Sequence, residues 1–353
     1  MSGTSLDGID VALIRTDGEG LVERGPAMTF AYNDGQRSQL LAALGEARGI
    51  EHRNERPGNL AGTEQDLTQW HIDAVLHFLD TNSAEVDVIG FHGQTVIHRP
   101  EKKLTVQLGL GWALAKSLSI PVVFDMRAND VAAGGQGAPL VPVYHRALAG
   151  SIADRPVVFV NIGGVSNITA IDSQGTMLAF DTGPGNALLD DWAVRHTGIA
   201  RDIDGALASA GKFDGAAVEK FMAAAYFQSA PPKSLDRNSF AGLSIEGLSA
   251  ADGAATLVEV TTRAIARATE WLNETPKAWV ICGGGRHNPA IMKSLAAKLP
   301  NVRPAEDFGF DGDAMEAEAW AYLAVRSLKG LPLTFPGTTK VSAPLTGGVL
   351  AKI

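Results

Sequence analysis

The chain opens with Met1-Ser-Gly-Thr-Ser-Leu-Asp-Gly-Ile-Asp10, in which small and hydroxyl residues (Gly3, Thr4, Ser5) stand beside an acid, Asp7, and a second glycine, Gly8. Alternation from residue 9 predicts a strand over 9–14 directly after it. A weaker echo comes 160 residues on, in Asn161-Ile-Gly-Gly-Val-Ser-Asn-Ile-Thr169, where a strand enters a glycine turn and leaves as a second strand over 165–171. Such turns present backbone N–H groups and hydroxyls with no bulky side chain in the way, which suits a phosphate. One turn in each half of the chain predicts two half-sites gripping a polyphosphate, and hence a nucleotide.

The 353 residues allow one domain and favour two, and either can bury a substantial core. A formal net charge of −9 argues against nucleic acid as the main partner. Cys282 is the single cysteine, which excludes an intramolecular disulfide and a thiolate metal cluster. No apolar run approaches membrane-spanning length, and no basic start or apolar leader segment is present, so a cytoplasmic enzyme with no membrane partner is expected.

Strands and helices alternate throughout, as in an α/β protein. Strands are predicted at 9–14, 86–91, 104–108, 122–125, 157–162, 165–171, 177–180 and 279–282. Helices are predicted at 64–79, 111–118, 141–149, 187–196, 254–272, 289–299 and 314–328. Ser151-Ile-Ala-Asp-Arg-Pro156 separates a helix from a new strand and sets a domain boundary, giving domains of 1–150 and 151–353. The extreme C-terminus is left free to pack back on the first domain. The prolines and polar residues of 229–237 predict a loop.

Five further segments carry dense polar chemistry. Phe91-His-Gly-Gln-Thr-Val-Ile-His98 begins at a strand end, where α/β proteins place ligands. His92 and His98 are poorly spaced for a metal, which leaves contact with a polar substrate or simple structural satisfaction. Arg127, Asn129 and Asp130 precede a glycine loop, and an arginine there suits a carboxylate or phosphate held bidentately. In Asp181-Thr-Gly-Pro-Gly-Asn186 an acid at a strand end precedes an open turn into a helix; Asp181 is either a catalytic base or the cap of that turn. Ile281-Cys-Gly-Gly-Gly-Arg-His-Asn-Pro289 is a strand, a glycine turn and a proline-opened helix, where a flat ring can lie on the backbone and Asn288 can read a polar edge. Glu316 opens a helix after the acidic run Asp311-Gly-Asp313, where negative charge is favourable in any case. The stretch at 104–125 imitates a dinucleotide fingerprint, but Leu114 stands in its third glycine position and no phosphate-binding GxxxxGK[ST] run occurs.

Taken in order, MSGTSLDGID, GFHGQTVIHRP, DMRANDVAAGGQGAPLVP, NIGGVSNIT, DTGPGN, CGGGRHNP and FGFDGDAMEAEAWA resemble the anhydro-N-acetylmuramic acid kinase family, within the actin, Hsp70 and hexokinase-like superfamily of ATP-dependent phosphotransferases. The resemblance covers essentially the whole chain. It implies two actin/hexokinase-like, ribonuclease H-like α/β domains with the active site in the interdomain cleft, a homodimer, and ATP with Mg2+. The implied substrate is a 1,6-anhydro sugar from cell-wall peptidoglycan. Its O6 is tied up in the anhydro bridge, so water must attack the anomeric carbon while O6 takes the γ-phosphoryl group.

The same resemblance assigns residues. Gly3, Thr4, Ser5, Leu6, Asp7, Gly8, Ile9 and Asp10 are expected at the β- and γ-phosphates, with Asp7 at the Mg2+. Gly163 and Gly164 are expected at the phosphates from the other domain and Gly283, Gly284 and Gly285 at the adenosine, with Asn167, Gly183 and Asn288 also expected to bind the nucleotide. Asp181 matches the family's general base and Glu316 a substrate-contacting acid. Residue chemistry, and not the resemblance, makes Arg127 the candidate for the lactyl carboxylate, with His92, Gln94, Thr95 and Asp130 near the sugar. Two other activities fit parts of the pattern: an ordinary hexose or amino-sugar kinase, and a non-catalytic ATP-gated binding protein, which the acids Asp7, Asp181 and Glu316 disfavour. In this superfamily the first phosphate turn joins two strands, so a strand entering the turn is expected upstream of Met1.

Overall fold

The computed structural model describes residues 1–3, 5–235 and 245–353; Thr4 lies outside the described residues. The described strands are β1 (Gly8–Thr16), β2 (Val22–Ala31), β3 (Ile89–Gly90), β4 (Gln94–Arg99), β5 (Leu104–Leu108), β6 (Val122–Phe124), β7 (Val157–Ile162), β8 (Val165–Ile171), β9 (Met177–Pro184), β10 (Ala278–Cys282), β11 (Val302–Pro304) and β12 (Val349–Ala351). With the helices between them they make the α/β chain that the alternation predicts. The chain divides into two compact units, one of Met1–Leu148 with Ala314–Ile353 and one of Ala149–Asp313. The second unit therefore ends at Asp313, short of the expected 353.

In the first unit β1 and β2 form an antiparallel pair, β4 and β5 a hairpin, and β12, β6 and β3 a small sheet. β12 closes that sheet antiparallel to β6, and the helix Met315–Leu328 packs on β1 and β3. These contacts join the last forty residues to the first unit. The helix Leu60–Asn82 turns Leu60, Leu67, Ala74 and Phe78 inward at near-heptad spacing. Leu67 joins Leu6, Val106 and Leu108 in one apolar cluster, and Ile72 joins Phe91, Leu114 and Val122 in another. Ser2 bridges to Ile9 on the edge of β1 away from β2. Past that bridge, β1 and Val75, Phe78, Val88 and Phe91 line a cavity of about 570 Å³.

The second unit is built on one five-stranded sheet in the order β11-β10-β7-β8-β9. β10 runs parallel to both β7 and β11, while β7, β8 and β9 are successively antiparallel. Five of the six residues of β7 are buried, as befits a central strand covered on both faces. The helix Ala250–Arg267, capped by the Ser249 hydroxyl, lays Ala254, Leu257, Val258 and Ile265 into the core with Trp192 and Trp279. β9 runs on to Pro184, four residues past its expected end. Asp181 is therefore inside an outer strand and not at a strand terminus. Proline is tolerated there because β9 is the outer strand of the sheet.

Candidate active site

Three turns meet at one end of the second unit's sheet, where β7 and β10 finish in parallel. Gly163 and Gly164 link β7 to β8, and their carbonyl oxygens accept the N–H groups of Asn186 (2.7 Å) and Gly185 (3.0 Å) from the turn after β9. Gly164 is exposed, so this pinned turn keeps an open face. After β10, Gly283 adopts a φ of 71°, and a Cβ on it would fall 2.3 Å from Asn161 Oδ1. Only glycine fits there. Gly285 is buried against Ile162, while Gly284 faces outward. Arg286 fastens this turn from beneath, donating to both carboxylate oxygens of Asp313 (2.8 and 2.7 Å), to Glu306 Oε1 (2.9 Å) and to the Gly283 carbonyl (3.0 Å).

Asp181 stands at the same end of the sheet, opposite Asn167 in the β8–β9 ladder and three residues before the end of β9. The Leu235 N–H donates to its Oδ2 at 2.7 Å. Burial pushes the carboxyl pKa up to about 7, against the downward pull of that one hydrogen bond. A carboxylate lifted into this range is suited to accept a proton near neutral pH.

In the first unit His92, Arg127 and Glu316 are brought together around Trp320. His92 Nδ1–H donates to the Ser2 carbonyl oxygen (3.0 Å), leaving Nε2 to accept from Arg127 Nε (3.3 Å). Burial first, and the Arg127 charge second, hold the His92 pKa well below its usual value, so the ring is neutral. The Trp320 ring packs 4.4 Å from the His92 ring and lies 5.1 Å under the Arg127 guanidinium. Arg127 also donates to the Gly137 carbonyl (2.8 Å). Desolvation lowers its pKa to about 10, with Glu316 and then Asp130 opposing the shift, so it stays charged. Glu316 lies in the first turn of the helix Met315–Leu328, and Trp320 sits four residues on along the same face.

The opening turn is tied into this group through Ser2, whose hydroxyl donates to Gln94 Oε1 (2.6 Å) and accepts from the Tyr32 hydroxyl (2.8 Å). Ser5 Oγ donates to Asp7 Oδ1 (2.7 Å), and both residues are exposed. The Leu6 and Ile9 side chains are buried, which leaves their backbones to any ligand. Asp10 Oδ1 accepts from Thr29 on β2 (2.7 Å).

The model of the family described as anhydro-N-acetylmuramic acid kinase matches residues 1–352. A protein named anhydro-N-acetylmuramic acid kinase from Rhizobium etli is 52% identical over 99% of this chain and 97% of its own length. One of the same name from Rhodospirillum rubrum is 51% identical over 99% of this chain and 92% of its own length. The chain belongs to the anhydro-N-acetylmuramic acid kinase family. Solved structures are more distant: a ROK family glucokinase from Streptomyces griseus in complex with glucose and AMPPNP gives a TM-score of 0.38 at 12% identity, covering 88% of this chain and 95% of that one.

Within this member of the anhydro-N-acetylmuramic acid kinase family, several assigned side chains are otherwise engaged. Asp130 accepts from the Gly137 N–H (2.5 Å) and the Thr339 hydroxyl (2.6 Å), so each of its oxygens already holds one protein hydrogen bond. Asn288 Oδ1 caps the helix Pro289–Ala296 through the Ala290 and Ile291 N–H groups. Gly183 is buried beneath Ala264 and Phe227. Thr95 accepts from Gln107 (3.1 Å) across the hairpin, and Gln94 is fully buried on Ser2. Sequence reasoning missed Ser2, Trp320 and Arg286. The four-residue spacing of Glu316 and Trp320 on a predicted helix was the available signal for Trp320; nothing local marks Arg286.

Proposed function

We propose that this chain uses ATP to phosphorylate O6 of 1,6-anhydro-N-acetylmuramic acid while water opens the anhydro bridge, in the recycling of peptidoglycan sugars. The observation that carries the reading is Asp181, a desolvated carboxyl group with one oxygen held by a backbone N–H, on the strand beside two glycine turns. Family membership supports the substrate.

Water attacks C1 and gives its proton to Asp181. The C1–O6 bond breaks, and O6 takes the γ-phosphoryl group as ADP leaves. Transfer to O6 replaces the leaving-group protonation that a glycosidase requires, while the base acts from the opposite face of the sugar as in inverting enzymes. In the second unit, the turns at Gly163–Gly164 and 283–285 offer open backbone to phosphates and adenosine. In the first unit, Arg127 meets the lactyl carboxylate, with His92 and Glu316 at the sugar's polar groups. The exposed Asp7 suits a Mg2+, which is commonly held by one or two carboxylates together with substrate phosphates. No cluster of three His, Cys, Asp or Glu side chains offers a metal cage among the described residues. Bound there, the ion supplies neutralisation of phosphate charge.

Turnover in ¹⁸O-labelled water tests the reading: label is expected at C1 of the sugar and absent from the phosphate. Label in released phosphate means plain ATP hydrolysis. Faster turnover of free N-acetylmuramic acid than of the anhydro sugar means an ordinary amino-sugar kinase.

A further inference from the structure

Apart from the Leu235 N–H, residues 226–235 have no part in the scheme above, yet their contacts converge on Asp181. The open edge of β9 at that residue is taken by this stretch. The Asp181 N–H donates to the Lys233 carbonyl oxygen (2.9 Å), and the Tyr226 hydroxyl donates to the Asp181 carbonyl oxygen (2.5 Å). The Leu235 N–H completes the set on Oδ2. Among the described residues, Oδ1 has no hydrogen-bond partner.

What holds the stretch in place is Lys233. Its Nζ donates to the carbonyl oxygens of Tyr226 and Ser229, both at 2.9 Å. It lies 4.6 Å from the Tyr226 ring centre, 5.6 Å from that of Trp271 and 5.8 Å from that of Phe180. The ammonium thus closes residues 226–233 into a ring, inside an aromatic cage that favours a cation. It forms no ion pair with Asp181. The Tyr226 face carries the ammonium while its hydroxyl reaches the base strand.

We propose that Lys233 is a positioning residue for the base: by stapling residues 226–233 it sets the Leu235 N–H on Oδ2 and shields the carboxylate, leaving Oδ1 to receive the proton of the attacking water. The proposal rests on the reading of Asp181 as base. Among the described residues, the groups that face this carboxylate are few. Tyr226 is the titratable one from the stretch itself, Asn167 on β8 is neutral, and the Arg267–Glu270 ion pair (3.0 Å) lies beside Lys233. Burial dominates the raised pKa of Asp181 and the Leu235 N–H opposes it, so loosening the stretch brings the pKa down toward the ordinary carboxylate range.

The test is the pH profile of kcat for Lys233→Met and Lys233→Arg in the full chain, with ATP and the anhydro sugar. In Lys233→Met the acidic limb is expected about one pH unit or more lower and kcat about tenfold or more reduced, as a less basic, less ordered carboxylate dictates. KM for ATP stays near wild type, and the Asp181 amide exchanges faster with deuterium. Lys233→Arg, which keeps donors for both carbonyls, restores most of the loss. A Lys233→Met protein with lowered Tm but an unmoved limb and kcat overturns the proposal. Should that variant not fold, Tyr226→Phe carries the same test through the lost bond to the Asp181 carbonyl. Asp181→Asn separates the two ideas. If it retains turnover, the base assignment falls and this proposal with it; if it is inactive while Lys233→Met is normal, only the Lys233 role falls.

Discussion

Asp181 and Arg127 are both placed where their charge is costly, and that cost is what makes each assignment testable at the level of the single residue. Asp181→Asn is expected to lower kcat by about 10²- to 10⁴-fold, the usual contribution of a general base, with ATP and sugar binding largely kept. Because its folded pKa of about 7 lies above the ordinary 3.8, this group favours the folded state less and less as pH rises between those values. The Asn variant should therefore melt at or above wild type at pH 8. A melting point well below wild type would turn the loss of activity into a folding defect. Among the described residues Arg127 has no carboxylate ion pair and donates instead to a carbonyl and a neutral imidazole, so a substrate anion would complete its bonding. Arg127→Met should raise KM for the anhydro sugar about 100-fold, the scale of a lost charge-assisted hydrogen bond, with a smaller effect on kcat. An anhydro sugar lacking the lactyl group should bind wild type and variant alike. A gap that persists with that analogue would assign Arg127 to positioning and not to charge recognition.

At the scale of elements, the close approach of β3 to the helix Met315–Leu328 decides how the first unit's polar group is assembled. A Cβ on Gly90 would lie 2.0 Å from the Trp320 carbonyl oxygen, so any side chain there must push the helix away. Trp320 carries the His92 and Arg127 contacts, and its displacement reaches both. Gly90→Ala is expected to cost about 1–3 kcal/mol of stability by overpacking and to raise the sugar KM while leaving the ATP KM little changed. An unaltered thermal midpoint would refute that packing argument. Legibility follows the same physics. β5, β7 and β8 were readable because buried runs and glycine turns mark them locally. β2, Val-Glu-Arg-Gly-Pro-Ala-Met-Thr-Phe-Ala, was not, since it buries neither face and carries Gly25 and Pro26. β9 was cut short because Gly183, Pro184 and Gly185 read as a helix entry, although an outer strand accommodates Gly183 and Pro184. Asp130 and Asn288 were chemically apt, but a polar side chain does not reveal whether a loop or a helix end has already claimed it.

For the whole molecule, the decisive feature is one that local periodicity cannot carry: the last forty residues belong to the unit built by the first 148. Arg326 donates to the Gly18 carbonyl oxygen (2.6 Å) and Tyr322 to that of Glu19 (2.9 Å), links that span 308 and 303 positions in sequence. β12 forms an edge of the β6 sheet, and Ser327 ties the helix Met315–Leu328 to Gly347. Glu316 lies in the first turn of a helix, as its sequence suggests, but the range 151–353 sets it with the second domain whereas Ala314–Ile353 groups with the first unit, because nothing in Met315–Leu328 itself says which unit it covers. A chain ending at Asp313 therefore lacks more than one acid. It exposes the apolar faces of β1 and β3, leaves the Gly18 and Glu19 carbonyls without Arg326 and Tyr322, strips β12 from β6, and removes Trp320 from beneath Arg127. Limited proteolysis of that truncated protein should cut rapidly within 1–148, while residues 149–313, whose sheet and core are complete without the C-terminal segment, resist. Equal protection of β1 and β2 in the truncated and full-length proteins would mean that the first unit is held by its own N-terminal contacts, and that Ala314–Ile353 supplies chemistry without stability.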